Sequence, residues 1–247
     1  MSSQFFQNFP EIQYKLNDGR TVTVKDFFRK AKVDNASIAN IVDYQYYELS
    51  EGERPDVVAT KLYGNPDLHW VLFLVNNFET YTDWYKSQEA FESYIDEKYN
   101  GDTLTAATTA DIIDTDSKFL LGERVSCPNG RKLGYVTGIE PTFKRIHIDV
   151  IGARFEAWQT GDAEGAKTVE GLYSGKKFRI ESVTRYRDAV AYYTNGTLRS
   201  NKSQLGFDPV SFYEMEYELN ESRRFIKVVQ PNKVKAIVSE FERVMKN

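Results

Sequence analysis

Residues 53–77 read ERPDVVATKLYGNPDLHWVLFLVNN. They hold the densest apolar run of the chain, Leu68 to Val75, and the run stops at two asparagines. A membrane anchor, a ligand-binding module and the core of a small domain that holds other proteins are the three readings open to it. Length removes the first, because the run is eight residues and a spanning helix needs about 20. The punctuation is helical. Pro55 suits a first turn, where its missing N–H costs nothing, and Val58 and Leu62 share one face. Gly64 fits a left-handed C-terminal cap, Asn65-Pro66 halts the chain, and Asp67 is placed to cap a second helix. In that second helix Leu68, Val71, Leu72 and Val75 form a stripe, while Trp70, Phe73 and Leu74 cover most of the rest, as in a buried helix. With DYQYYEL (Asp43 to Leu49) as a strand in front, the unit reads strand, helix, turn, buried helix. A second strand is expected shortly after.

Composition sets the outer bounds. The 247 residues allow one large domain or two modest ones, and 41% hydrophobic with 28% charged residues is ordinary for a globular chain. A net charge of −4 gives no general attraction to nucleic acid. The opening MSSQFFQNFP lacks the basic and apolar regions of a signal peptide, so synthesis in a host cytoplasm is expected. The lone Cys127 cannot form an internal disulfide. With 16 Tyr and 16 Phe, aromatics reach 14%. That excess suits protein–protein contact, or equally tyrosines at sheet edges.

Outward from the quoted stretch, Asp18-Gly19 marks a hairpin whose returning strand is Thr21 to Val24, running into a short helix over DFFRKAKV. Ser87 caps an amphipathic helix, with Phe91, Tyr94, Ile95 and Lys98 in phase. Residues 101–120, rich in Thr, Ala and Asp, read as a linker. Residues 121–185 read as a small β-barrel or sandwich, with a hairpin turn at Asn129-Gly130 and alternation over Ile146, Ile148 and Val150 that turns His147 to solvent. Asn195-Gly196 turns another hairpin. The end reads as a β-hairpin, FYEMEYEL–NES–RRFIKVV, then a helix after Pro231 striped by Val234, Ile237, Val238, Phe241, Val244 and Met245.

Chemistry is sparse. His69 reads as a hydrogen-bonded core histidine, and neither His69 nor His147 sits in a triad or metal spacing. Cys127 has no nearby histidine to activate it. Asp111, Asp114 and Asp116 lack the glycine and distal glutamate of a calcium loop, and Glu51 and Glu53 beside Arg54 read as surface ion pairs. No phosphate loop or dinucleotide fingerprint occurs. The sequence predicts no enzyme, no catalytic residue, no metal and no cofactor.

A strand followed by GERP-D-x-x-A-x-x-x-YG and an HWVL-rich helix ending in NN resembles a LysM-like module, with Pro55, Tyr63, Gly64, Trp70, Asn76 and Asn77 as its core signature. FFQNFPEIQY, SEGERPDVVATKLYG, LHWVLFLVNN, DWYKSQEAFESYI and the closing stretch through RRFIKVVQPNKVKAIVSEFERVM, in that order, resemble the baseplate wedge protein 53 family of T-even-like contractile-tailed bacteriophages. The resemblance covers residues 1–99 and about 207–245. It implies an α+β chain: an N-terminal hairpin and LysM-like docking domain over 1–100, an inserted linker and all-β domain over 101–206, and a C-terminal hairpin and amphipathic helix over 207–247.

The function implied is structural. The chain would be a virion component of the tail baseplate, a wedge protein clamping inner-baseplate scaffold proteins and joining adjacent wedges around the hub. Its partners would be the main scaffold protein, a sheath-like wedge protein and neighbouring wedges, in several copies of a sixfold assembly, with no nucleic acid and no membrane. The alternative is a LysM-type carbohydrate module of a tail-associated protein that binds peptidoglycan. Trp84, Ile237, Phe241 and Val244 are the expected protein interface, with packing of the C-terminal stripe on its own domain as the competing reading.

Overall fold

The structure, a computed structural model, describes residues 9–26, 44–106, 119–127, 132–151 and 168–246. The helix expected over 27–33, the turn at Asn129-Gly130 and the aspartates at 111, 114 and 116 lie outside the described residues. Helices and strands mix in an α+β arrangement. Contacts divide the chain into two compact units, Met1–Gln88 with Leu219–Asn247, and Glu89–Glu218. No helix among the described residues is long and apolar enough to cross a membrane.

In the first unit, β1 (Glu11–Lys15) and β2 (Thr21–Lys25) form a hairpin. Its turn needs Gly19, whose φ is +87°. Strand β3 (Tyr44–Glu48) leads to helix α1 (Pro55–Tyr63), with Pro55 in its first turn and Gly64 at φ 70° as its cap. Asp67 caps nothing. Asn65 takes that role, accepting from the Asp67 N–H at the head of a short 3-10 turn that runs into α2 (His69–Asn76). Asn77, at φ 55°, ends α2.

The second strand does not follow α2 closely. It is β13 (Phe225–Val229), antiparallel to β3 with Ile226 opposite Tyr47 and Lys227 opposite Tyr46. Helix α5 (Val234–Lys246) completes the unit. One cluster joins Trp70, Val71 and Val75 to Val229, Val234, Ile237, Phe241 and Met245; a second joins Leu49, Val58, Leu72 and Trp84 to Ile226 and Val228. Burial of such side chains is worth about 1.5–3 kcal/mol each.

The expected closing hairpin is also corrected. Residues 212–222 form a helix, α4 (Phe212–Ser222). Ser211 and Glu214 make a capping box: the Glu214 carboxylate accepts from the Ser211 N–H (2.8 Å), and the Ser211 hydroxyl accepts from the Glu214 N–H (3.1 Å). Alternation of Tyr213, Met215, Tyr217 and Leu219 with glutamates mimics a strand. The buried positions are instead Glu216 and Asn220, four apart on a helix.

The second unit begins with α3 (from Gln88–Lys98) and holds a closed barrel, in the order β4 (Asp102–Ala106), β7 (Arg145–Val150), β6 (Lys132–Glu140), β5 (Arg124–Ser126), β8 (Thr168–Gly171) and β9 (Lys177–Arg185). Leu104, Val125, Leu133, Val136, Ile146, Ile148, Val169 and Phe178 fill it. Residues 102–106, read from composition as linker, are thus a barrel strand: Leu104 and Ala106 face inward between threonines that suit extended backbone. A three-stranded sheet, β11 (Arg199–Ser200), β10 (Val190–Thr194) and β12 (Asp208–Ser211), stands beside the barrel in the same unit.

His147 is buried rather than solvent-facing. The outer face of β7 has its own cover: Tyr186 stacks on the imidazole at 3.8 Å and Phe212 meets it edge-on. His147 Nδ1 shares a hydrogen bond with Thr103 Oγ1 (2.8 Å), and its Nε2 lies 3.3 Å from Glu140. Glu140 also accepts from Arg145, whose guanidinium donates to the Val190 carbonyl and packs over Phe143. Burial pushes the Glu140 carboxyl up, but His147 and Arg145 outweigh it and hold it low.

Candidate docking site

Of the six expected signature residues, Tyr63, Trp70 and Asn76 meet β13 or α5, while Pro55, Gly64 and Asn77 bound the two helices. Tyr63 and Asn76 both reach the edge of β13 that faces away from β3. The Asn76 side-chain amide donates to the Lys227 carbonyl and accepts from the Lys227 N–H. Tyr63 Oη accepts from the Val229 N–H at 3.2 Å. Burial pushes the Tyr63 hydroxyl up to about 12, against the smaller opposing effect of that N–H. One polar side chain therefore takes the place of a third strand at Lys227, and a second closes the edge at Val229.

Trp70, at 6% exposure, packs on Phe241 with ring centroids 4.7 Å apart. It has no open face on which a sugar could stack. Trp84 and Ile237 are buried in the same unit, as is Phe241. The Trp84 indole donates to the Glu53 carbonyl (2.8 Å) and stacks on Phe73. These three expected interface residues are core, and the α5 stripe takes the intramolecular alternative. The Val244 side chain lies outside the described residues.

Glu53 is a buried anchor rather than a surface ion pair. Its carboxylate accepts from Tyr47 Oη (3.0 Å), the Ser50 N–H (3.0 Å) and the Lys61 ammonium. Burial raises its carboxyl, but these donors outweigh burial and hold it below the usual carboxylate range. His69 is half-buried, with Nδ1 3.0 Å from the Pro66 carbonyl. No group of three His, Cys, Asp or Glu among the described residues could hold a metal ion.

The exposed apolar residues of this unit are a different set. On the β1–β2 hairpin, Ile12 opposes Val24 and Tyr14 opposes Val22, so all four share one face, and all four are exposed. The arm is rooted by Phe9, buried beside Trp70 and Phe241, whose carbonyl accepts from Lys25 Nζ (3.0 Å). A two-stranded hairpin is marginal by itself in water, so an apolar face of this kind calls for cover. Its alternation was legible in the sequence. The outer face of the β3–β13 sheet adds Tyr46 and Phe225, 72% and 58% exposed.

In the second unit, the buried Glu123 carboxylate joins two turns, accepting from the N–H groups of Leu120 (2.6 Å) and Ser174 (3.1 Å). Those turns expose Leu120, Leu121, Leu172 and Tyr173. No local sequence signal marks Glu123 as their link.

Two helices packed on a two-stranded sheet, with an exposed apolar hairpin, are the class of small α+β unit this geometry defines. Residues 4–103 match the family described as Base plate wedge protein 53. Among curated proteins, the baseplate wedge protein gp53 of Enterobacteria phage T4 is 33% identical over 100 residues, 38% of this chain and 50% of that protein. The chain thus spans about half the length of the curated relative it matches. The matched stretch contains β1 to α3 but not β13 or α5, so the resemblance read over 207–245 lies outside it.

Proposed function

We propose that the chain is a structural component of a contractile phage tail baseplate: a wedge protein that clamps inner-baseplate scaffold proteins and helps join adjacent wedges around the hub. The observation that carries this reading is the match of residues 4–103 to the wedge family. In it, the β3–α1–α2–β13 unit is a LysM-like docking module whose second strand arrives after an inserted domain, and the exposed hairpin face is one of its contacts. Obligate interfaces of such assemblies are large and apolar, often 2,000 Å² or more, which suits the excess of exposed aromatics.

The reading assigns no catalysis to the chain. Quantitative mass spectrometry of purified tails tests it: the chain should be present in the copy number of a sixfold baseplate component. Its absence from intact tails, or release of soluble peptidoglycan fragments by the pure protein, would overturn the reading.

A further inference from the structure

The two edges of the β3–β13 sheet are treated differently. The Leu49 N–H donates to the Arg224 carbonyl, which fixes the phase of the ladder: Gln45, Tyr47 and Leu49 bond across to β13. The N–H and C=O groups of Tyr46 and Glu48 therefore point away from β13, as those of Lys227 and Val229 point away from β3. On the β13 side, Asn76 and Tyr63 occupy that outward row. On the β3 side, no described residue pairs with the outward groups of Tyr46 or Glu48, and among the described residues the sheet has two strands. Natural edges are blunted by bulges, prolines or lysines. Strand β3, YQYYE, has none of these, and its register is unbroken. The one acid on it, Glu48, is already matched by Arg224 at 2.9 Å.

We infer that the free edge of β3 receives an extended segment of a partner protein, which adds to the sheet as a third strand through the outward groups of Tyr46 and Glu48. An open backbone edge selects an occupant by main-chain pairing. The flanking Tyr46 and Phe225 rings favour a segment with alternating apolar side chains on that face. This inference rests on the baseplate reading above, because it needs an assembly in which the partner strand is present.

The test compares amide hydrogen exchange of the free full-length chain with that of purified tails, and pairs it with two variants. In the free chain the amides of Tyr46 and Glu48 should exchange quickly. In tails they should slow by at least about tenfold, as for newly bonded strand amides. Glu48→Pro removes the outward N–H without touching the ladder to β13, and proline is compatible with an edge position. It should fold yet fail to enter tails, whereas Glu48→Ala, which keeps the N–H, should enter normally. Equal incorporation of both variants, or unchanged exchange at Tyr46 and Glu48 in tails that contain the chain, would overturn the strand inference alone. Absence of the chain from tails would overturn the baseplate reading and this inference with it. If Glu48→Pro does not fold, the exchange comparison decides.

Discussion

Asn76 holds Lys227 by both of its main-chain groups, at 2.8 Å each, although 151 residues separate them in the chain. The pair needs one donor and one acceptor on the same side chain, which an amide supplies and a carboxylate does not. Asn76→Asp should therefore cost about 1–3 kcal/mol at neutral pH, because a charged oxygen would meet the Lys227 carbonyl. Urea unfolding of the full chain measures this, and stability equal to that of the parent would show that the pair is incidental.

Trp70 and Phe241 should behave as core. Trp70→Ala is expected to cost about 3–5 kcal/mol, a large share of the 5–15 kcal/mol that holds a typical domain together. Phe241→Asp, which places a charge against Trp70, should abolish folding of the first unit. A thermal melt in which Trp70→Ala leaves the transition in place would contradict the packing described.

Glu53 gives a pH dependence with a definite sign. Its carboxyl is held low in the fold, so its contribution is complete above the unfolded value, about 4.3, and is lost as pH falls through the folded value. Glu53→Gln should be less stable than the parent at pH 7, and the difference should shrink as the parent's carboxylate is protonated in acid. Chemical unfolding at a series of pH values reads this directly; parallel curves from neutral to acid would sink the assignment.

Gly101 stands where the chain enters the barrel. Its φ is +92°, and a Cβ there would lie 1.9 Å from the Ile148 carbonyl oxygen. Both strain and collision oppose any side chain, so Gly101→Ala should destabilise the barrel by well over about 1 kcal/mol. Far-ultraviolet circular dichroism during heating should register an earlier transition, and an unmoved midpoint would refute the close approach.

The two central helices were readable because their limits are local: Pro55 opens one, and Gly64 and the asparagine pair close each in turn. The partner of β3 was not readable. Pairing between Tyr47 and Ile226 leaves no short-range trace, so local pattern points to a second strand just after α2. Residues 212–222 carry a true alternation of apolar and acidic residues that mimics a strand, and the signal that decides for a helix is Ser211 with Glu214. Alternation places His147 on the outer side of a barrel strand but does not show that Tyr186 and Phe212 supply a second cover there. Pattern at Trp84 and Phe241 indicated apolar surface needing burial, but not which surface would bury it.

Because β13 and α5 lie beyond residue 218, synthesis order constrains when the first unit can exist. A ribosome that has released residues 89–218 has delivered every strand of the barrel, while Trp70 and Val71 still await Val229, Ile237 and Phe241. The barrel is thus free to form early, and the first unit forms only after β13 and α5 have been made. Chains cut short at residue 218 would hold every strand of the barrel but lack β13 and α5, leaving both clusters of the first unit open. Proteolysis of a chain truncated at residue 218 and released should find the barrel strands protected and 44–88 readily cut.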